Sequence, residues 1–134
     1  MKGAYIVIAK LKKDENLKIG SLGRVNFRKG FYAYVGSGMG NLHMRALRHL
    51  RKDKKLHWHI DYFLKKAKVL RIYLKISNEK EECKIAENLA EKFPSVKNFG
   101  CSDCRCKSHL FYSKNFKKLW QSLLLNFFLF FFSF

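Results

Sequence analysis

Acidic residues are scarce in this chain: 10 Asp+Glu stand against 28 Lys+Arg in 134 residues, a formal net charge of +18. That imbalance argues against an acidic surface as the working face and points to a polyanion as partner, either nucleic acid or an anionic membrane. Apolar runs are short. The first, Ala4 to Ala9, falls well below a secretory core and lacks a preceding basic segment, so a cytoplasmic location is expected. No stretch reaches the roughly 20 apolar residues of a membrane-spanning helix. Cysteine is limited to four residues, and in a reducing compartment these are expected as buried thiols or metal ligands rather than disulfides. Internal repeats are absent.

What is present suits one compact domain, with 48% hydrophobic and 16% aromatic residues to fill a single core. Residues Gly3 to Ala9 and Phe31 to Gly36 read as buried strands, and Leu17 to Phe27, punctuated by Gly20 and Gly23, as a weaker strand or hairpin. Asn41 is a candidate N-cap for a helix whose apolar stripe is Leu42, Ala46, Leu47 and Leu50. At ~100° per residue, Arg45 and His49 share one flank of that stripe, whereas Arg48 and Arg51 fall toward the surface. A second helix is expected over His57 to Lys66. The strict alternation of Leu70, Ile72, Leu74 and Ile76 predicts a strand over Val69 to Ile76. A third helix follows from about Glu81 to Phe93, stopped by Pro94, with Glu82 inside its apolar stripe and Glu81, Glu87 and Glu91 outside it. Phe99 to His109 reads as a loop and Leu110 to Tyr112 as a last short strand. The expected fold is α+β: a small, mostly antiparallel sheet of three to four strands flanked by about three helices.

Residues 1–112 form the expected domain, and 113–134 a Phe-rich tail outside it. Lys117-Lys118 precede that apolar segment, which Gln121 and Asn126 interrupt. A shallow membrane contact, packing on the body and a loose appendage are all open for it.

Cations concentrate between His43 and Lys55, where Arg45, Arg48, Arg51, Lys52, Lys54 and Lys55 face Asp53 alone. Arg48, Arg51, Lys52, Lys55 and His57 are the candidate nucleic-acid contacts. Cleaving a phosphodiester needs a cation on the phosphate, a base for the attacking water and a divalent metal to absorb charge. Arg45 can clamp a phosphate bidentately. Glu82 can hold one Mg²⁺ or Mn²⁺ whose other positions stay with water and substrate. Tyr5, Tyr34 and His49 are the candidate bases, a tyrosine needing nearby positive charge for that task.

Gly3-Ala4-Tyr5, then Tyr34-Val35-Gly36-Ser37, then Arg45-Ala46-Leu47-Arg48-His49, then Glu82 on a later helix resembles the GIY-YIG nuclease superfamily, across roughly Gly3 to Phe93. The longer segments His57-Trp58-His59-Ile60-Asp61-Tyr62 and Ser102 to Phe111 resemble its "Uri superfamily endonuclease" branch and extend the likeness to about Tyr112. The resemblance implies that Tyr5 and Tyr34 are the motif tyrosines, Arg45 the phosphate-binding arginine, His49 a supporting histidine and Glu82 the single metal ligand. The implied activity is metal-dependent endonucleolytic cleavage of DNA, or of RNA, in repair or processing. Ala4 and Val35 stand where the motifs carry isoleucine, and the interval from Tyr5 to Tyr34 is longer than the usual hairpin. A non-catalytic nucleic-acid-binding module on the same fold is the alternative.

Cys101-x-x-Cys104-x-Cys106-x-x-His109 has zinc-like ligand types. Four ligands in so short a loop are cramped, and Cys83, His57 or His59 could supply the missing distance for a structural Zn²⁺. His57 and Asp61 lie one helical turn apart, a spacing at which Asp61 can orient the His57 ring.

Overall fold

The computed structural model describes residues 1–101, 106–126 and 130–134. Its order is β1 (Lys2–Leu11), β2 (Glu15–Lys18), a short 3-10 turn (Gly20–Leu22), β3 (Arg24–Phe27), β4 (Gly30–Met39), α1 (Leu42–Arg48), α2 (His59–Phe63), β5 (Lys68–Ile76), α3 (Glu82–Ala90), β6 (Leu110–Ser113), α4 (Phe116–Asn126) and β7 (Phe130–Ser133). The fold is α+β. Five strands form one antiparallel sheet in the order β6-β4-β1-β5-β7, and β2 and β3 pair as a separate hairpin.

Strand β1 is central, hydrogen-bonded to β4 on one side and β5 on the other, and both its faces are buried. Because side chains alternate across a strand, its odd positions Tyr5, Val7, Ala9 and Leu11 enter one core with α1, α2 and the hairpin. Its even positions Ala4, Ile6 and Ile8 enter a second core under α3 and α4. This two-sided burial explains why Gly3 to Ala9 reads as a continuous apolar run rather than an alternating one.

Two expectations change. The clean alternation read in β5 is broken by a β-bulge, since Ile8 pairs with Arg71 but Ala9 with Val69. Val69, Ile72 and Leu74 therefore share the first core, while Leu70 is half-buried and Ile76 exposed. The tail is the second. Leu119 and Leu123, one turn apart on α4, are buried with Ile6, Val35 and Phe111 in the second core, and β7 adds to the free edge of β5. The boundary expected after Tyr112 thus lies inside the packed structure, because α4 has its own apolar stripe and the sheet an unpaired edge to offer. Among the described residues, no helix is long and apolar enough to cross a membrane.

Candidate active site

Tyr5 and Tyr34 project from adjacent central strands into the first core, with ring centroids 6.4 Å apart. Tyr5 pairs in register with Gly36. A Cβ at Gly36 would fall within the Tyr5 phenol, so the glycine of the second motif creates the space in which the first motif's tyrosine lies. Gly38 performs a similar service for α1, whose first residue, Leu42, sits against it. That close start brings Arg45 and His49 over the tyrosines.

The Tyr5 hydroxyl lies 2.7 Å from His49 Nε2 in a buried hydrogen bond. Among the described residues, His49 Nδ1 is buried without a hydrogen-bond partner. Tyr5, Tyr34, Ser37, Arg45, Trp58, Lys80, Glu82, Cys83, Gly100 and His109 line one cavity of about 470 Å³. Four of the five predicted catalytic residues therefore share a wall, and the fifth, His49, stands behind Tyr5. Glu82 opens α3 and is half-buried, its Oε1 3.8 Å from His109 Nδ1, whereas Glu87 is exposed.

Electrostatics keep the tyrosine–histidine pair neutral in the unliganded protein. Burial raises Tyr5 well above the ordinary tyrosine value, with Arg45 next in size pulling it down and Glu82 pushing it up. Burial and the neighbouring Tyr5 and Glu82 do the same to Tyr34. Burial, with Lys54 next in size, pushes His49 from 6.5 down to about 3. As pH falls below 6.5, the unfolded chain takes up a proton at His49 that the folded chain refuses until near 3, so stability declines through that window. The slope approaches about 1.4 kcal/mol per pH unit for one such group, and burial-lowered His59 acts in the same direction. Urea unfolding is expected to show lower stability at pH 5 than at pH 7, with a flatter dependence in His49→Gln.

The nucleic-acid set divides. Arg51, Lys52, Lys55 and His57 are exposed, Arg51 making only a loose 3.7 Å pair with exposed Asp53. Arg48, expected at the surface, is instead fixed: its Nη1 and Nη2 donate to the buried Asp61 carboxylate at 2.9 and 3.1 Å. Asp61 does not hold the His57 ring. Its Oδ2 accepts the backbone N–H groups of His57 and Trp58 at 2.8 and 2.9 Å, the role of an acidic residue at the third position of a helix. Trp58 in turn underlies both guanidiniums, 5.0 Å from Arg45 Cζ and 4.6 Å from Arg48 Cζ. Such cation–π contacts pre-position Arg45 at the cavity mouth.

Lys80 and Gly100 carry no sequence signal for the site, no spacing distinguishing Lys80 from other lysines, and Ser37 enters only as the last residue of the second motif. His109 was read only as a loop ligand, yet the backbone bond from its N–H to Phe99 O and its placement beside Gly100 bring it to Glu82. Among the described residues, one group of metal-ligating side chains converges: Cys83, Cys106 and His109, with ligand atoms within 4.8 Å of one another. Cys101 Sγ instead lies 3.5 Å from Phe99 O, His59 Nδ1 accepts from Gly100 N–H, and Cys104 lies outside the described residues.

A family model described as "Domain of unknown function DUF123" matches residues 4–128. No curated protein and no solved structure matches the chain.

Proposed function

Starting from a chain that belongs to the DUF123 family, we propose that it is a divalent-metal-dependent endonuclease of the GIY-YIG type, nearest the Uri branch, that hydrolyses phosphodiesters in DNA. One observation carries this reading: Tyr5, Tyr34, Arg45 and Glu82, drawn from four separate elements, line one cavity, with His49 hydrogen-bonded behind Tyr5. A packing role for each residue alone would not require that convergence.

Exposed Arg45 receives the scissile phosphate, its fork matching two non-bridging oxygens. Glu82 supplies the single carboxylate that a hard cation such as Mg²⁺ or Mn²⁺ takes from a protein while keeping several waters. The cation, when bound, neutralises charge developing on the phosphate and the leaving oxygen. Tyr5 accepts a proton from the attacking water as its own hydroxyl proton passes to His49 Nε2. The water oxygen forms a bond to phosphorus, the bond from phosphorus to the leaving oxygen breaks, and the leaving oxygen is protonated from solvent. A phosphate on Arg45 offsets one of the charges that depress His49, while for Tyr5 the same phosphate weakens the Arg45 charge that lowers it and a cation on Glu82 would weaken the carboxylate charge that raises it. Arg51, Lys52, Lys55 and His57, all exposed, would add phosphate contacts that make binding fall steeply with salt.

The burial that keeps both tyrosines neutral favours a second reading, a binding module without catalysis. Labelled duplex, single-stranded and branched DNA, with RNA beside them, separate the two when incubated with the full chain in Mg²⁺, Mn²⁺ or EDTA. Cleavage that requires metal and falls on the order of 10²–10³-fold in Arg45→Ala and in Glu82→Gln is expected. Salt-sensitive binding with no cleavage in any metal would replace the nuclease by the binding module.

A further inference from the structure

We infer that Cys83, Cys106 and His109 bind a zinc ion that ties the start of α3 to the segment entering β6, one residue away from Glu82. Three side chains from two distant parts of the sequence place their ligand atoms within 4.8 Å of one another. Zinc bonds of about 2.3 Å to sulfur and 2.0–2.1 Å to nitrogen at tetrahedral angles put such atoms roughly 3.5–3.8 Å apart.

The donor types are those zinc selects over magnesium, two thiols and an imidazole. His109 is already oriented for ligation. It is buried, and its Nδ1 lies 3.1 Å from the Val35 carbonyl oxygen. A carbonyl can only accept, so Nδ1 carries the hydrogen and Nε2 keeps the lone pair. An imidazole held through its other nitrogen by a carbonyl is the usual outer support of a zinc histidine. Binding deprotonates both thiols, releasing two protons to solvent, and the two thiolates balance the charge of Zn²⁺. A centre of no net charge suits this half-buried position, where Cys106 packs against the second core.

The site solves the crowding of the loop motif by recruiting Cys83 from the helix. It also gives Glu82 a rigid neighbour: the residue after it and the histidine 3.8 Å from its carboxylate would share one ion. Cys83 and Cys106 are then positioning residues. The inference concerns these ligands alone and stands or falls independently of the nuclease reading.

Cobalt replacement of zinc in the reduced full-length chain tests it. The wild type is expected to take up about one Co²⁺ with the strong ligand-field absorption of a tetrahedral centre and a thiolate charge-transfer band, both displaced by Zn²⁺ and untouched by Mg²⁺. Cys83→Ser and Cys106→Ser should each lose about half of the charge-transfer band, His109→Gln should shift the ligand-field bands, and Glu82→Gln should retain both. A wild-type chain that shows no thiolate band, a result independent of how any variant folds, overturns the site. So does a band that survives intact in a folded Cys83→Ser chain.

Discussion

Replacing Tyr5 by phenylalanine is expected to lower single-turnover cleavage by on the order of 10²–10⁴-fold, the range for removing a positioned acid–base group, while DNA binding in EDTA stays near wild type. The phenol oxygen is the only atom lost, and the ring still fills the space that Gly36 leaves open. His49 Nε2 then loses its partner. A buried polar atom left unsatisfied costs about 1–3 kcal/mol, so stability should be measured beside rate to keep the two effects apart. Tyr34→Phe should cost less, because Tyr34 touches His49 through ring packing at 5.9 Å between centroids rather than through the 2.7 Å hydrogen bond. Cleavage at the wild-type rate in Tyr5→Phe would place the base elsewhere and leave Tyr5 as packing.

The largest loss of stability is expected from Asp61→Ala, roughly 3 kcal/mol, the lower end of the range for breaking a buried ion pair. The carboxylate is buried and takes four hydrogen bonds, two from Arg48 and one each from the His57 and Trp58 backbones. Arg48 is partly exposed and can be rehydrated once abandoned, which keeps the figure at that end. Burial works to raise the Asp61 pKa, yet the Arg48 bonds and the two backbone N–H groups hold it below the ordinary 3.8. A carboxyl depressed in this way stabilises the fold above 3.8 and loses that contribution as pH falls through its lower folded value. Urea midpoints at pH 7 for wild type and Asp61→Ala give the magnitude. The same loss should shift Trp58, whose backbone the carboxylate anchors, and loosen Arg45 above it.

Most of the sheet was legible because β1 and β4 are apolar on both faces and carry β-branched and aromatic residues. The tail was not, because a run of phenylalanines satisfies a membrane, a core or an edge strand equally well. The spacing of Leu119 and Leu123 held the relevant signal. The β5 bulge has no local signature, since it arises from the pairing with β1. Of the candidate site, Tyr5, Tyr34, Arg45, His49 and Glu82 could be named because motif order survives without knowledge of the fold. Arg48 was misplaced for the opposite reason: its partner Asp61 lies on another helix, and helical phase alone cannot see it. Asp61 departs from the expected pairing with the His57 ring because an acid three residues into a helix faces the preceding backbone before any ring one turn away.

The central place of β1 has a consequence for how the molecule comes into being. Both of its hydrogen-bonding neighbours, Gly30–Met39 and Lys68–Ile76, are made after it, and the residues around its tyrosine extend to His109. A growing chain therefore carries a sticky, two-edged apolar ribbon that stays unsheltered on one edge until Lys68–Ile76 has emerged. Long-range pairing of this kind slows folding and leaves early intermediates prone to cluster. On the proposed reading, cleavage chemistry built on such a scaffold would be withheld until His109 has been made, long after the tyrosine it stands beside.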